Sequence, residues 1–256
     1  MAVTPVWMHS GAGSNADPNA DLGGAISSAA VSATKLNNVF DDTTGDEAAA
    51  GHTEYRCQYI KNTGATSWVA PVLWSAHDTG LVTEGRPHNP ASPYVLSGET
   101  FQFGVEAVRA TIATSSIAAA TVITTSAPHK LADGATVVIA GHIGSTPAVD
   151  GTYVATVTGA DTFTIPLTVS TGGTGGTVTG AAAKNTTAQT IAAGGAVAPL
   201  YVVFASPYTK ATGTPLPVAT LATNDYVAVW MKWITPSSQA YSAGTDAILL
   251  CEGDDA

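Results

Sequence analysis

In the stretch FDDTTGDE, residues 40–47, four carboxylates crowd together: Asp41, Asp42, Asp46 and Glu47. Clustered carboxylate oxygens are what a hard cation such as calcium requires. The spacing departs from that of an EF-hand loop, because the glycine precedes Asp46 and no glutamate closes the loop. A solvated turn is the favoured reading, with a bound ion as its alternative. These four residues are the metal candidates of the chain, and no cofactor is expected.

The histidines are scattered. His9, His52, His77 and His88 fall in loops, while His129 and His142 lie in a Thr- and Val-rich segment with no second ligand pair at short spacing. The His129 ring, after Pro128 in SAPHKLADG, is expected to pack over a turn, and His142 in IAGHIGS reads as a loop residue. A hydrolase needs a nucleophile, a base and an orienting acid, and no motif such as GxSxG sets one up. Paired-carboxylate chemistry needs no local motif and ranks last among the readings. The expectation is a protein without enzymatic activity.

Ring stacking on sugars is the other chemistry worth weighing. Trp68, Trp74, Trp230 and Trp233 sit within apolar runs at strand spacing, where such rings are core more often than platform. Trp230 and Trp233 have opposite parity, so in a regular strand one of them faces away from the sandwich core. That pair supplies the candidates for a subunit interface.

The elements that carry these residues are strands. In EYRCQYIK, Tyr55, Cys57 and Tyr59 alternate with Glu54, Arg56 and Gln58, the pattern of a half-buried strand. WVAPVLW, residues 68–74, is a second strand whose Pro71 predicts an edge or a bulge. ETFQFGVEAV, LYVVF, YVAVWMKWI and AILLC continue the series, and GDEAAAG is the one helical stretch. TGGTGGTVTG has neither the lysine nor the following helix of a phosphate loop, so it reads as a flexible or tightly turning connection.

Composition restricts the partners. Only 11% of residues are charged, against roughly 25% in ordinary globular proteins, and the net charge is −10. That balance repels a phosphate backbone, so no nucleic acid is expected. No run approaches the roughly 18 apolar residues of a membrane span, and no membrane partner is expected. The opening MAVTPVWMHSGAGSN lacks the basic start and apolar stretch of a secretory signal. Cys57 and Cys251 are too few for a disulfide framework and are expected to be reduced, buried thiols.

Between residues 113 and 183 aromatics and charges thin out, and five strands follow one another: TVITTS, ATVVIAG, GTYVATVTG, DTFTIPL and GGTVTG. Asp133-Gly134, Asp150-Gly151 and Gly159-Ala160-Asp161 mark the turns. The flanks, 1–112 and 184–256, share an aromatic-rich character and leave sheet edges for each other to pair. The fold expected is all-β: a discontinuous antiparallel β-sandwich carrying an inserted, small, five-stranded barrel-like domain.

Three segments, SNADPNADLGGAISS, NNVFDDTTGDEAAAGHTEYRCQYIKNTG and YVAVWMKWITPSSQAYSAGTDAILLCEGD, resemble a group of tailed-bacteriophage virion proteins, over residues 14–64 and 200–254. The inserted segment, with HKLADGATVVIAG and DGTYVATVTGADTFTI, is similar to small β-barrel repeats of phage tail and surface proteins likened to a half-domain of ubiquitin-activating enzymes. Lys130 stands where those repeats usually have Gly, and Asp150 where they have Asn. Both changes are expected to leave the turns intact. The resemblance implies a structural protein of the virion, assembled in the bacterial cytoplasm and bound to capsid, neck or tail in symmetric copies, with no catalytic residue. Recognition of a host surface glycan is the alternative.

Overall fold

The computed structural model describes residues 3–32, 39–41, 44–75, 100–205, 213–237 and 249–255. The chain is nearly all β, and its sheets are antiparallel. It opens with β1 (Pro5–His9), β2 (Gly23–Gly24), a helix α1 (Gly45–Ala50), β3 (His52–Asn62), β4 (Trp68–Ser75) and β5 (Thr100–Val105). Seven strands follow: β6 (Ala107–Ser115), β7 (Thr121–Thr125), β8 (Thr136–Ala140), β9 (Gly151–Val154), β10 (Thr156–Val157), β11 (Thr162–Ile165) and β12 (Thr177–Ala181). The chain returns through β13 (Ala188–Thr190), β14 (Thr214–Pro215), β15 (Thr220–Leu221), β16 (Tyr226–Thr235) and β17 (Leu249–Asp255).

Two compact units result, Met1–Val105 with Thr187–Ala256, and Glu106–Thr186. The first is built on a sheet ordered β1-β3-β16-β5. β3 and β16 pair without interruption from Tyr226↔Lys61 to Thr235↔His52. In the second sheet β4 pairs with β17 along its length and with β14 and β15 at successive halves. Pro71 therefore lies in an inner strand and not at an edge. The ladder tolerates it through a bulge: Ala70 has φ +46°, and the register against β17 shifts between Glu252 and Asp254.

Between the sheets lies one core, in which Trp68, Leu73 and Leu221 meet Phe103, Met231 and Trp233. The opposite face of the first sheet is also buried. There Tyr55, Cys57, Tyr59 and Trp230 pack with Met8 and Ile191, and Leu22, Ile26 and Phe204 lie against them. The Tyr59 hydroxyl fastens this cover by donating to the Gly24 carbonyl and accepting from Ala188 N–H.

Three expectations change here. Trp230 and Trp233 do lie on opposite faces, but Trp230 is 0% and Trp233 6% exposed, so neither ring offers an interface surface. β3 is not half-buried: Arg56 is 2% and Gln58 1% exposed, because a loop covers the face they occupy. LYVVF forms no strand, since Tyr201 has φ +56° and the chain touches the sheet there through an isolated bridge, Phe103↔Ala205. Cys57 is fully buried; the Cys251 side chain falls outside the described residues.

The inserted unit is a nearly closed sheet ordered β10-β11-β7-β6-β12-β8-β9 around Ile123, Val137, Ile139, Phe163 and Val178. It has seven strands where five were expected, for two reasons. β6 pairs with β12 from Ala107↔Ala181 to Thr111↔Thr177, so a boundary at residue 112 would cut it. GTYVATVTG breaks into β9 and β10 at Ala155, a buried residue hydrogen-bonded to Ala135 and Gly134.

Lys130 has φ +56°, in the left-handed region that favours glycine. A side chain in that region costs about 1–2 kcal/mol, partly offset by the greater unfolded-state freedom of Gly. Lys130→Gly is therefore expected to raise the stability of the inserted unit by about 0.5–1 kcal/mol, read from urea unfolding. Trp230→Ala and Trp233→Ala are each expected to cost about 3–5 kcal/mol in the same assay, where an exposed interface ring would cost little.

Candidate functional site

Pairing of His9 with Gln58 in the β1–β3 register sets a polar corner on the sandwich-facing side of the first sheet, continued along β3 by Arg56 and Glu54. The loop after β1 folds over this corner. Its shape is local chemistry: Asn15 accepts from Asp17 N–H, and Asp17 caps the short 3₁₀ turn Pro18–Ala20 by accepting from Asn19 N–H.

That turn delivers Asp21, 0% exposed, to the corner. Its Oδ1 accepts from Ser10 N–H at 3.0 Å and Asn15 Nδ2 at 3.1 Å. Its Oδ2 accepts from Gln58 Nε2 at 3.0 Å and meets His9 Nδ1 at 2.8 Å. The Asp21 carbonyl accepts from Cys57 N–H. Burial pushes the Asp21 carboxyl above its ordinary value of 3.8, although the hydrogen bonds from His9, Gln58 and Ser10 pull the other way.

Beside it Arg56 donates to Glu54 at 3.1 Å and to Asn19 at 3.0 Å, and its guanidinium lies 5.6 Å from the centre of the Phe40 ring. Glu47 serves α1 as the second half of a capping box, accepting from Thr44 N–H at 2.7 Å, with Thr44 Oγ1 accepting from Glu47 N–H. That backbone bond holds the Glu47 carboxyl below the usual carboxylate range, and its other oxygen lies 3.6 Å from His52 Nε2.

Of the sequence's metal candidates, then, Glu47 is engaged in a helix cap, Asp41 and Asp46 are exposed, and Asp42 lies outside the described residues. Among the described residues no group of three or more His, Cys, Asp or Glu is placed to hold a metal ion.

The inserted unit contains an arrangement that looks catalytic. Ser115 Oγ lies 2.9 Å from His142 Nε2, and Asp150 is a neighbour. The Asp150 carboxylate, however, accepts from the backbone N–H groups of Gly141 and His142, not from the ring. His142 Nδ1 donates instead to the Gly175 carbonyl at 2.7 Å, which leaves Nε2 to accept from the Ser115 hydroxyl. Ser115 Oγ in turn accepts from Gly173 N–H.

A glycine run roofs the Ser115–His142 pair. A Cβ on Gly173 would lie 2.4 Å from the Ile143 oxygen and 2.7 Å from His142 Nε2, and one on Gly172 2.4 Å from the Ser115 oxygen. The pair therefore ties β6, the loop after β8 and TGGTGG into one tightly packed corner. Sequence reading placed His142 in an open loop; its partners are distant in the chain, and only the paired glycines hinted at close approach.

His129 does what was expected of it. Its ring stands edge-on to Phe163 at 5.5 Å, Nδ1 accepts from Leu131 N–H, and Nε2 faces the Thr162 carbonyl.

What the sequence did not single out is exposed apolar surface: Ile117 and Ile143 in the inserted unit, Leu200 and Val203 in the other, Val203 at 85%. No helix among the described residues is long and apolar enough to cross a membrane. No protein-family model matches the chain, and a search of curated proteins finds no significant relative.

Asp21→Ala should cost about 2–4 kcal/mol in urea unfolding, because it strands several buried donors at once. Gly173→Ala should destabilise the inserted unit by about 1–3 kcal/mol through overpacking.

Proposed function

We propose that the chain is a non-enzymatic structural component of a tailed-phage virion. It serves as an exterior decoration or cement-type protein, or as a neck- or tail-associated one, and binds other virion proteins in several symmetric copies. The carrying observation is the construction of the inserted unit. Its first and last strands are hydrogen-bonded neighbours, Ala107 opposite Ala181 and Ala182 N–H donating to the Glu106 carbonyl, so a closed barrel-like module is spliced in through adjacent ends. Such a module adds a second surface to a docking unit without altering that unit's core.

The polar clusters support the same reading. Each buried charged or hydroxyl side chain described above holds a loop in place, and the exposed groups are Thr, Val, Ile and Leu suited to broad, weakly charged contacts. In this reading the discontinuous sandwich docks on the particle and the inserted unit is the displayed module.

Host-glycan recognition by the inserted unit is a second reading. It is favoured by the hydroxyl-rich outer face that Thr111, Thr136, Thr177 and Thr179 form around Arg109.

Purified particles of the encoding phage, probed with antibodies to the recombinant chain under the electron microscope, should show label at regular positions on the capsid, neck or tail. Absence of the chain from purified particles would overturn the proposal. Replacing residues 107–181 by two glycines should leave a folded protein that still binds particles. Loss of glycan binding in that variant, with particle binding kept, would assign adhesion to the insert.

A further inference from the structure

The segment from His9 to Val31 is a strap over the first sheet. Backbone bonds hold it along its edges: His9 N–H to the Ala29 carbonyl, Ser27 N–H to His9, Ala12 N–H to Ala25, and Val31 N–H to Trp7. Its Leu22 and Ile26 cover the core around Trp230. At its centre the grip is polar and passes through Asp21, whose side chain is fully buried.

The geometry fixes where a proton can reside at that grip. Asp21 Oδ1 is filled by two donors, Ser10 N–H and Asn15 Nδ2, and the latter is oriented by its second acceptor, the Ser10 carbonyl. Oδ2 takes Gln58 Nε2, which leaves one lone pair, facing His9 Nδ1. A titrating proton therefore belongs to the His9–Asp21 pair as a whole.

Among the described residues, the charged groups around the pair are Asp17 on the strap and Glu54 and Arg56 on β3. Glu54 and Arg56 neutralise each other, and the Asp17 carboxylate is engaged with Asn19 N–H at an exposed position. With a neutral imidazole and an ionised carboxyl, the pair buries one uncompensated negative charge. The first proton it binds cancels that charge, whichever atom takes it.

We propose that the His9–Asp21 pair is a proton-sensitive latch, holding the His9–Val31 strap at the edge of the first sheet firmly when protonated and loosening it as the pair loses its proton. The sign follows from burial. Asp21 is raised above its ordinary 3.8, so its contribution is fully present below that value and is lost as pH rises through the raised one.

Asp21→Asn tests this, because an amide can copy the protonated carboxyl: its oxygen accepts from Ser10 and Asn15, and its NH₂ meets His9 and a turned Gln58. Hydrogen exchange of the full chain, corrected for intrinsic rates, is followed from about pH 8 to about pH 3, so that the range passes below the ordinary carboxylate value. In the natural chain the Ala12, Leu22 and Ser27 amides should gain about tenfold in protection for every tenfold by which closing the strap tightens the pair's hold on its proton. In Asp21→Asn they should gain none. Flat protection in the natural chain, or an equal gain in the variant, overturns the latch.

If the variant does not fold, NMR of the natural chain decides. The Asp21 carboxyl carbon titrating above the ordinary carboxylate range supports the latch. Asp21 titrating alone at its ordinary value overturns it.

Discussion

β16 buries both of its faces, and the architecture of the larger unit follows from that constraint. A strand whose apolar side chains have both parities, with Val227, Val229, Met231 and Trp233 on one face and Ala228 and Trp230 on the other, cannot sit in a sheet that is half open to water. One face is met by the β4 sheet. The other is met by the segments around Leu22, Ile191 and Phe204, which have little regular structure and bring backbone polar groups with them. Those groups need partners once buried. Asp21, Tyr59 and Gln189 supply them, the last by bonding both the N–H and the carbonyl of Leu200. The polar network thus follows from wrapping irregular chain around the edge and second face of the sheet.

This explains which parts of the fold were legible in the sequence. Alternation in EYRCQYIK located β3 and its faces correctly, since side-chain parity is local. That Glu54, Arg56 and Gln58 would be buried was not legible, because the loop that covers them lies thirty to forty residues upstream, and its fit depends on a turn at residues 15–21. The same holds for YVAVWMKWI: parity separates Trp230 from Trp233, while the cover over Trp230 comes partly from residues 188–204. LYVVF misleads for a related reason. Val202 and Phe204 point inward and satisfy the apolar pattern, yet the backbone turns through Tyr201 and never forms a ladder.

In the inserted unit, turn chemistry carried the reading further. Asp133-Gly134 and Gly159-Ala160-Asp161 fall where the chain reverses, Asp150-Gly151 instead opens β9, and Lys130 sits in the conformation for which glycine is the usual choice. The boundary was missed because β6 continues the apolar, alternating character of β5 with Glu106 alone between them, and composition does not change until after the unit has begun. The glycine run reads as a flexible or tightly turning connection, and the structure takes the second form. It is a packed segment whose missing side chains make room for Ser115 and His142.

The central structural claim, that the β3–β16 pair is sealed on both faces, is most directly tested by native-state hydrogen exchange across the full chain. The account predicts that amides throughout both strands, including those flanking Cys57 and Trp230, exchange only in the global unfolding of the discontinuous unit. Faster exchange confined to the Trp230 side, with the Trp233 side still protected, would contradict it and restore the half-open sheet that parity alone suggests.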